Sequence, residues 1–142
     1  MDNQITTKFK IVKPASDVFE AIVDPQKMSN YWFSSGSGRM AQGQTITWRY
    51  DEYNAEVDIT VLEVEENKKI KFSWGETTVT MIIKELDQMS SIIEVSESGF
   101  KEDDPELINK MLGQKEGWVY VLTCLKAYLE NGINNLRASL IH

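Results

Sequence analysis

Between residues 44 and 98 the chain breaks into five runs of alternating apolar and polar character, 44–50, 54–65, 68–74, 77–86 and 91–98. A few turn-like residues part each run from the next, such as Glu65-Glu66-Asn67 and Asp87-Gln88-Met89. Parallel strands need a crossover of about a dozen residues or more, so connections this short make neighbouring strands antiparallel. The alternation is clearest in KIKFSW, where Ile70, Phe72 and Trp74 share one face and Lys71 and Ser73 point away. A sheet with one apolar face needs a cover. The one segment long enough to supply it is 114–131, where Trp118, Val121, Leu122, Leu125 and Leu129 recur at the three- and four-residue spacing of an amphipathic helix. Burying these five side chains at about 1.5–3 kcal/mol each contributes on the order of 10 kcal/mol, which rivals the net stability of a whole domain.

The remaining segments fit around that frame. Residues 4–13 read as a first strand, with Ile5, Phe9 and Ile11 of one parity. Ser16 is placed to cap a short helix that buries Val18, Phe19 and Ile22, with Asp17 in its first turn. Asp24-Pro25 signals a second short helix running towards Tyr31. Residues 34–38, SSGSG, have the composition of a flexible loop. Asp104-Pro105 marks a helix or turn through Leu107, Ile108 and Met111, which Gly113 is expected to interrupt before the long helix starts near Gln114. Gly132 is a natural terminator, and the tail after it is expected to form a short helix docking Ile133, Leu136 and Leu140. Gly117, inside the long helix, costs roughly 1 kcal/mol against alanine. It therefore marks a place where the backbone passes close to the sheet or borders a ligand mouth.

Composition narrows the function more than the fold. With 142 residues, 42% of them hydrophobic and 26% charged, one domain with its own core is expected. The net charge of −7 without a basic tract argues against nucleic acid and against anionic membrane surfaces as partners. The longest apolar runs are too short to span a bilayer. No secretory signal is read at the N-terminus, and the lone Cys124 fits a reducing compartment, so the cytoplasm is the expected location. The single histidine is the last residue, His142, which removes the usual basis of a catalytic triad or proton shuttle. Cys124 is expected to be a buried, inert thiol. No spacing suggests a metal site or a phosphate loop, and no cofactor is expected.

Aromatic residues carry the positive signal. Trp32, Phe33, Trp48, Tyr50, Tyr53, Phe72, Trp74, Trp118 and Tyr120 all fall on elements facing the sheet–helix interior or its mouth. Four tryptophans need partners for their N–H groups in a packed core, and they are common in ligand pockets. Glu97 follows Ile93 and Val95 in the same register, so its carboxylate either points inward and needs a partner, with Arg39 and Arg49 the candidate anchors, or sits solvated at the rim.

The motifs PASDVFEAIVDPQKMSNYW, VLEVEENKKIKFSW, SESGF and GWVYVLTCLKAYLE, in this order across residues 8–131, resemble the homologues of the activator of the ninety-kilodalton heat-shock protein ATPase. The most specific pieces are Asp24-Pro25 ahead of Trp32-Phe33, Ser73-Trp74 at a strand end, Ser98-Gly99-Phe100, and Gly117-Trp118 opening the last helix. That family belongs to the START-like superfamily. The resemblance implies an α+β helix-grip fold, with an antiparallel sheet of about six strands curved around a long C-terminal helix and two short helices after the first strand. It further implies a cavity between sheet and helix for a lipid-like, polyketide-like or other apolar molecule, bordered here by Trp32, Trp48, Tyr50, Trp74, Met81, Glu97, Trp118 and Leu122. The family motif often carries histidine where this chain has Glu97, leaving an acidic anchor in place of an imidazole. The leading expectation is binding of a small hydrophobic or amphipathic ligand. The alternatives are a co-chaperone or stress-response interaction module, with a homodimer plausible in this family, and an enzyme using Glu97 as acid or base.

Overall fold

The computed structural model describes residues 3–141; Met1, Asp2 and His142 lie outside the described residues. The chain runs β1 (Ile5–Ile11), α1 (Ala15–Val23), α2 (Pro25–Met28), β2 (Ser35–Gly36), β3 (Thr45–Tyr50), a single helical turn (Asp51–Tyr53), β4 (Ala55–Glu65), β5 (Lys69–Trp74), β6 (Thr77–Asp87), β7 (Ser90–Ser98) and α3 (Leu107–Asn131). The strands form one sheet of seven in the order β1-β7-β6-β5-β4-β3-β2, and every neighbouring pair is antiparallel. The α+β helix-grip architecture implied by the resemblance is present, with seven strands rather than six.

The extra strand lies within SSGSG. Ser35 and Gly36 pair with Arg49 and Trp48, so part of this segment is sheet edge rather than free loop. A Cβ on Gly36 would stand 3.1 Å from the Trp48 ring and 3.3 Å from Met28 and Pro25, so glycine lets this backbone lie against the core without displacing those side chains.

The registers place the inward residues of each strand in rows. Phe72 pairs with Val61 and Val79, Val79 with Glu97, Met81 with Val95, and Ile83 with Ile93. All of these side chains are buried. On β1 the parity read from the sequence holds: Ile11 is fully buried, and Ile5 and Phe9 pack partly buried against the core. Trp118, Leu122 and Leu125 of α3 close the core from the other side, with Val121 and Leu129 half-buried along the same stripe.

Three boundaries differ from expectation. Ser16 does not cap α1: the helix starts at Ala15, and the Pro14 carbonyl accepts from Asp17 and Val18 N–H at 3.0 and 3.2 Å. Asp24 does cap α2, accepting from Gln26 N–H at 2.9 Å, with Pro25 in the first turn. Gly113 does not interrupt anything. Helix α3 runs unbroken through both Gly113 and Gly117, because tertiary packing of its apolar face outweighs a propensity loss of about 1 kcal/mol per glycine. Gly132 ends it as expected, donating its N–H to the Tyr128 carbonyl at 2.8 Å. The tail beyond is irregular rather than helical; Leu136 packs on the core, whereas Ile133 is exposed. No helix among the described residues is long and apolar enough to cross a membrane.

Candidate ligand-binding site

The aromatic residues converge at one end of the sheet. Trp32 and Phe33 leave the turn after α2, which is fixed by Trp32 N–H donating to the Met28 carbonyl at 3.0 Å and by Tyr31 Oη donating to the Ala21 carbonyl at 2.9 Å. Trp32 then packs against Trp48 of β3 at 4.8 Å between ring centroids, and edge-on against Trp118 of α3 at 5.4 Å. Trp74, at the end of β5, meets Trp118 at 5.8 Å in a near-perpendicular arrangement. Tilted and edge-to-face contacts of this kind are the favoured geometry for aromatic rings.

Between these rings lies a cleft of about 260 Å³. Trp32, Phe33, Trp74 and Trp118 form its inner surface, Tyr50 and Tyr53 one side, and Gln114, Gly117 and Val121 of α3 another. Those helix residues stand at i, i+3, i+4 and i+7 with Trp118, so one stripe of α3 faces the cleft. A Cβ at Gly117 would meet no atom within 4 Å. The glycine therefore serves no close approach to the sheet; it leaves the mouth of the cleft unfilled.

The tail after Gly132 supplies the last wall. Leu140 and Arg137 line the cleft, and three tyrosine hydroxyls hold the tail by its carbonyls: Tyr50 donates to Arg137 at 3.0 Å, Tyr53 to Leu140 at 3.4 Å, and Tyr120 to Leu136. Arg137 is the latch. Its guanidinium donates to the Trp32 carbonyl at 3.1 Å and to Ser34 Oγ at 3.0 Å, pairs with both oxygens of Glu52, and lies 5.3 Å from the centre of the Tyr50 ring. Hydrogen bonding to Arg137 holds the Glu52 carboxyl down to about 2. Burial pushes the Tyr50 phenol up.

Glu97 resolves in favour of the inward reading. It is 2% exposed. Its Oε1 accepts from Trp118 Nε1–H at 2.8 Å, its Oε2 lies 2.7 Å from Thr77 Oγ1, and the Gln114 carboxamide nitrogen reaches both oxygens at 3.1 and 3.3 Å. Neither candidate arginine is its partner. Arg39 pairs with Glu20 of α1, and Arg49 with Glu56 and Asp51, all at the surface. Arg49 is exposed on β3, where parity points it outward, and Arg39 stands in the segment between β2 and β3 beside α1.

Of the residues expected around a cavity, Trp32, Tyr50, Trp74 and Trp118 line the aromatic cleft. Glu97 lines an adjoining cleft of about 320 Å³, which shares Trp74 and Gln114 with the first. Trp48, Met81 and Leu122 line neither; they are 1–2% exposed and form the packed floor behind it. Phe33, Tyr53 and Tyr120, aromatics of the interior or its mouth, line the aromatic cleft too, and Gln114, Val121, Arg137 and Leu140 are additions to the expected set. Helical spacing from Trp118 points to Gln114 and Val121; the apolar tail residues signal docking, but nothing in the sequence says that they dock at the cleft. Cys124 is buried, and desolvation raises its thiol, which removes it as a nucleophile. Among the described residues no group of three or more His, Cys, Asp or Glu side chains could hold a metal ion. A larger groove of about 670 Å³ follows the β4–β5 turn beside Pro14, lined by Glu65, Glu66, Lys68, Lys69 and Glu85. Its walls mix these charged side chains with Ala15, Ile82 and Ile83 and hold no aromatic ring, unlike the convergent rings of the aromatic cleft.

Comparison with known proteins places this geometry. Residues 13–130 match the model of the family described as activator of Hsp90 ATPase homolog 1-like protein. The chain belongs to that family. Protein SSP2350 from Staphylococcus saprophyticus is 44% identical, with 95% of this chain and 97% of that one covered and a TM-score of 0.85. The Aha1 dimer from Colwellia psychrerythraea, solved in solution, is 19% identical over 91% of this chain and 97% of that chain, with a TM-score of 0.78. DynU16, a protein of the dynemicin biosynthetic locus, is 21% identical over 94% of this chain and 49% of that one, with a TM-score of 0.81. At these lower identities the likeness is one of fold. A search of curated proteins finds no match.

Proposed function

We propose that this member of the family binds a small hydrophobic or amphipathic molecule in the aromatic cleft between the sheet and α3. The carrying observation is the cleft itself: about 260 Å³ walled by three tryptophans, with a helical glycine where a side chain would otherwise project. The cleft is open at its mouth, so water meets apolar ring surface there, and an apolar molecule that displaces it gains about 25 cal/mol per Å² of apolar surface buried. The test is a thermal-shift panel of fatty acids and planar aromatic compounds. A ligand present at about a hundredfold its Kd stabilises by roughly 2.7 kcal/mol. A panel in which no compound raises the melting temperature removes the reading.

A second reading concerns the surface of α3. Ile108 and Leu112 are each 64% exposed and, with Ile5, Met111 and the Lys115 stem, frame an apolar groove. We take this patch to be an association surface whose partner is a second copy of the chain, since one structural neighbour is a dimer. Light scattering on wild type and Leu112→Asp tests it, with a dimer in the first and a monomer in the second. A wild-type monomer at high micromolar concentration, joined by stimulation of a chaperone's ATP turnover, would assign the patch to the co-chaperone role instead.

A further inference from the structure

Glu97 is a buried carboxylate with no counter-charge. None of the ion pairs among the described residues includes it. Burying an ionised carboxyl without a paired cation is costly unless donors saturate it. Here neutral groups alone surround it, with two contacts on each oxygen and no cation among them. Its two oxygens offer about four lone-pair sites. Thr77 has one hydroxyl hydrogen, and Oγ1 lies 2.7 Å from Glu97 Oε2 but also 2.9 Å from the Trp74 carbonyl, so that hydrogen is shared between two acceptors. The Gln114 carboxamide straddles both oxygens at 3.1 and 3.3 Å. The Trp118 indole N–H, at 2.8 Å, is the shortest N–H contact to Glu97.

The acid stands where the aromatic cleft meets its neighbour, since Trp74 and Gln114 line both. The cation in that second lining, Lys110, is engaged with Asp104 and lies 4.0 Å from Glu76. A ligand carboxylate placed here would face Glu97 and Glu76 together. A ligand cation would meet an unpaired acid beside tryptophan faces, the surroundings in which cation–π attraction is strongest. The protein's net charge of −7 acts in the same direction at longer range.

We propose that this end of the cleft recognises a protonated amine, so that the ligand is an aromatic or otherwise apolar molecule carrying an ammonium group. The inference rests on the ligand-binding reading above and adds the chemistry of the head group. The ammonium takes the place of the Gln114 carboxamide against Glu97, while the apolar body lies among Trp32, Trp74 and Trp118.

Calorimetric titration with tryptamine, tryptophol and indoleacetate separates the head group from the ring they share. Tryptamine should bind about tenfold more tightly than tryptophol, equivalent to ~1.4 kcal/mol and of the order of one charge-assisted hydrogen bond, with indoleacetate weakest. It should also move the Trp118 indole N–H resonance. Glu97→Gln retains an acceptor for Trp118 and should bring tryptamine and tryptophol to similar affinity. Gln114→Ala, on a half-exposed turn of α3, tests the same point with the buried acid kept; removing the competing donor should tighten tryptamine several-fold relative to tryptophol. Equal binding of amine and alcohol, tighter binding of indoleacetate, or failure of tryptamine where another panel ligand binds overturns the ammonium head while the cleft remains a ligand site. Failure of all three together with the whole apolar panel overturns both.

Discussion

Gly117 separates stability from binding in a way that single substitutions rarely allow. It lies inside α3 on the stripe facing the cleft, and a Cβ there has open space on every side to 4 Å. Gly117→Ala should therefore recover the helix propensity lost at this position, about 0.8–1 kcal/mol. At an unfolding entropy of roughly 2.1 cal/mol/K per residue, that gain raises the melting temperature of a chain of this length by about 3 °C. Gly117→Leu has nearly the same propensity and should be nearly as stable, but its side chain projects into the 260 Å³ between Trp32, Trp74 and Trp118. The assay is a thermal melt of wild type and both variants, each with and without the best ligand of the panel. Without ligand both variants melt above wild type; with ligand the shift persists in the alanine variant and is lost in the leucine variant. A destabilised alanine variant would show that the position is packed rather than open. A leucine variant that keeps the full ligand shift would place the ligand somewhere else.

The other expectations concern the latch, the floor and a turn. Arg137→Ala should free the tail and raise the rate of proteolysis beyond Gly132, because one guanidinium holds the Trp32 carbonyl, Ser34 and Glu52 together. Glu52 has its carboxyl lowered to about 2 by Arg137, so the stabilisation from this pair is fully present above pH 4.5 and is lost as pH falls from there through 2; acid unfolding monitored by circular dichroism should be shallower over that interval in Arg137→Ala. Trp48 is 1% exposed, stacks on Phe33 and packs tilted or edge-on against Trp32 and Phe72, so Trp48→Ala should cost about 3–5 kcal/mol in denaturant titration whether or not ligand is present. Gly99 has φ +92°, and a Cβ there would come within 3.1 Å of the Glu76 carbonyl, so Gly99→Ala should destabilise by about 1–3 kcal/mol by the same titration.

The sheet was legible because its pattern is local. Ile70 and Phe72 alternate with Lys71 and Ser73 on a strand whose neighbours are two or three residues away along the chain, and period and turn chemistry settle the pairing. Parity left Glu97 between an inward position and a solvated rim, and it did not supply the partners: Thr77 arrives through β6 and Trp118 and Gln114 through α3, and no local signal links them. Arginine was the chemically natural guess for a buried acid, and the fold supplied neutral donors in its place. Gly113 misled because propensity is weak against the packing of Trp118, Leu122 and Leu125, which carries the helix through it. Trp48 and Met81 share the inward parity of the lining strand residues, and Leu122 the helical stripe of Trp118, and neither period says how deep a side chain lies. Arg137 was invisible for a simpler reason: a residue in an irregular tail acquires its role only from the place where the tail docks.

Titration of the isotope-labelled protein with the best ligand of the panel, followed through the four tryptophan indole N–H resonances, tests the ligand site most directly. Binding in the aromatic cleft predicts that Trp32, Trp74 and Trp118 shift together with one saturation curve, while Trp48, buried behind them, changes least. Saturable binding that leaves those three resonances in place, or that moves instead the residues of the β4–β5 groove, would contradict it.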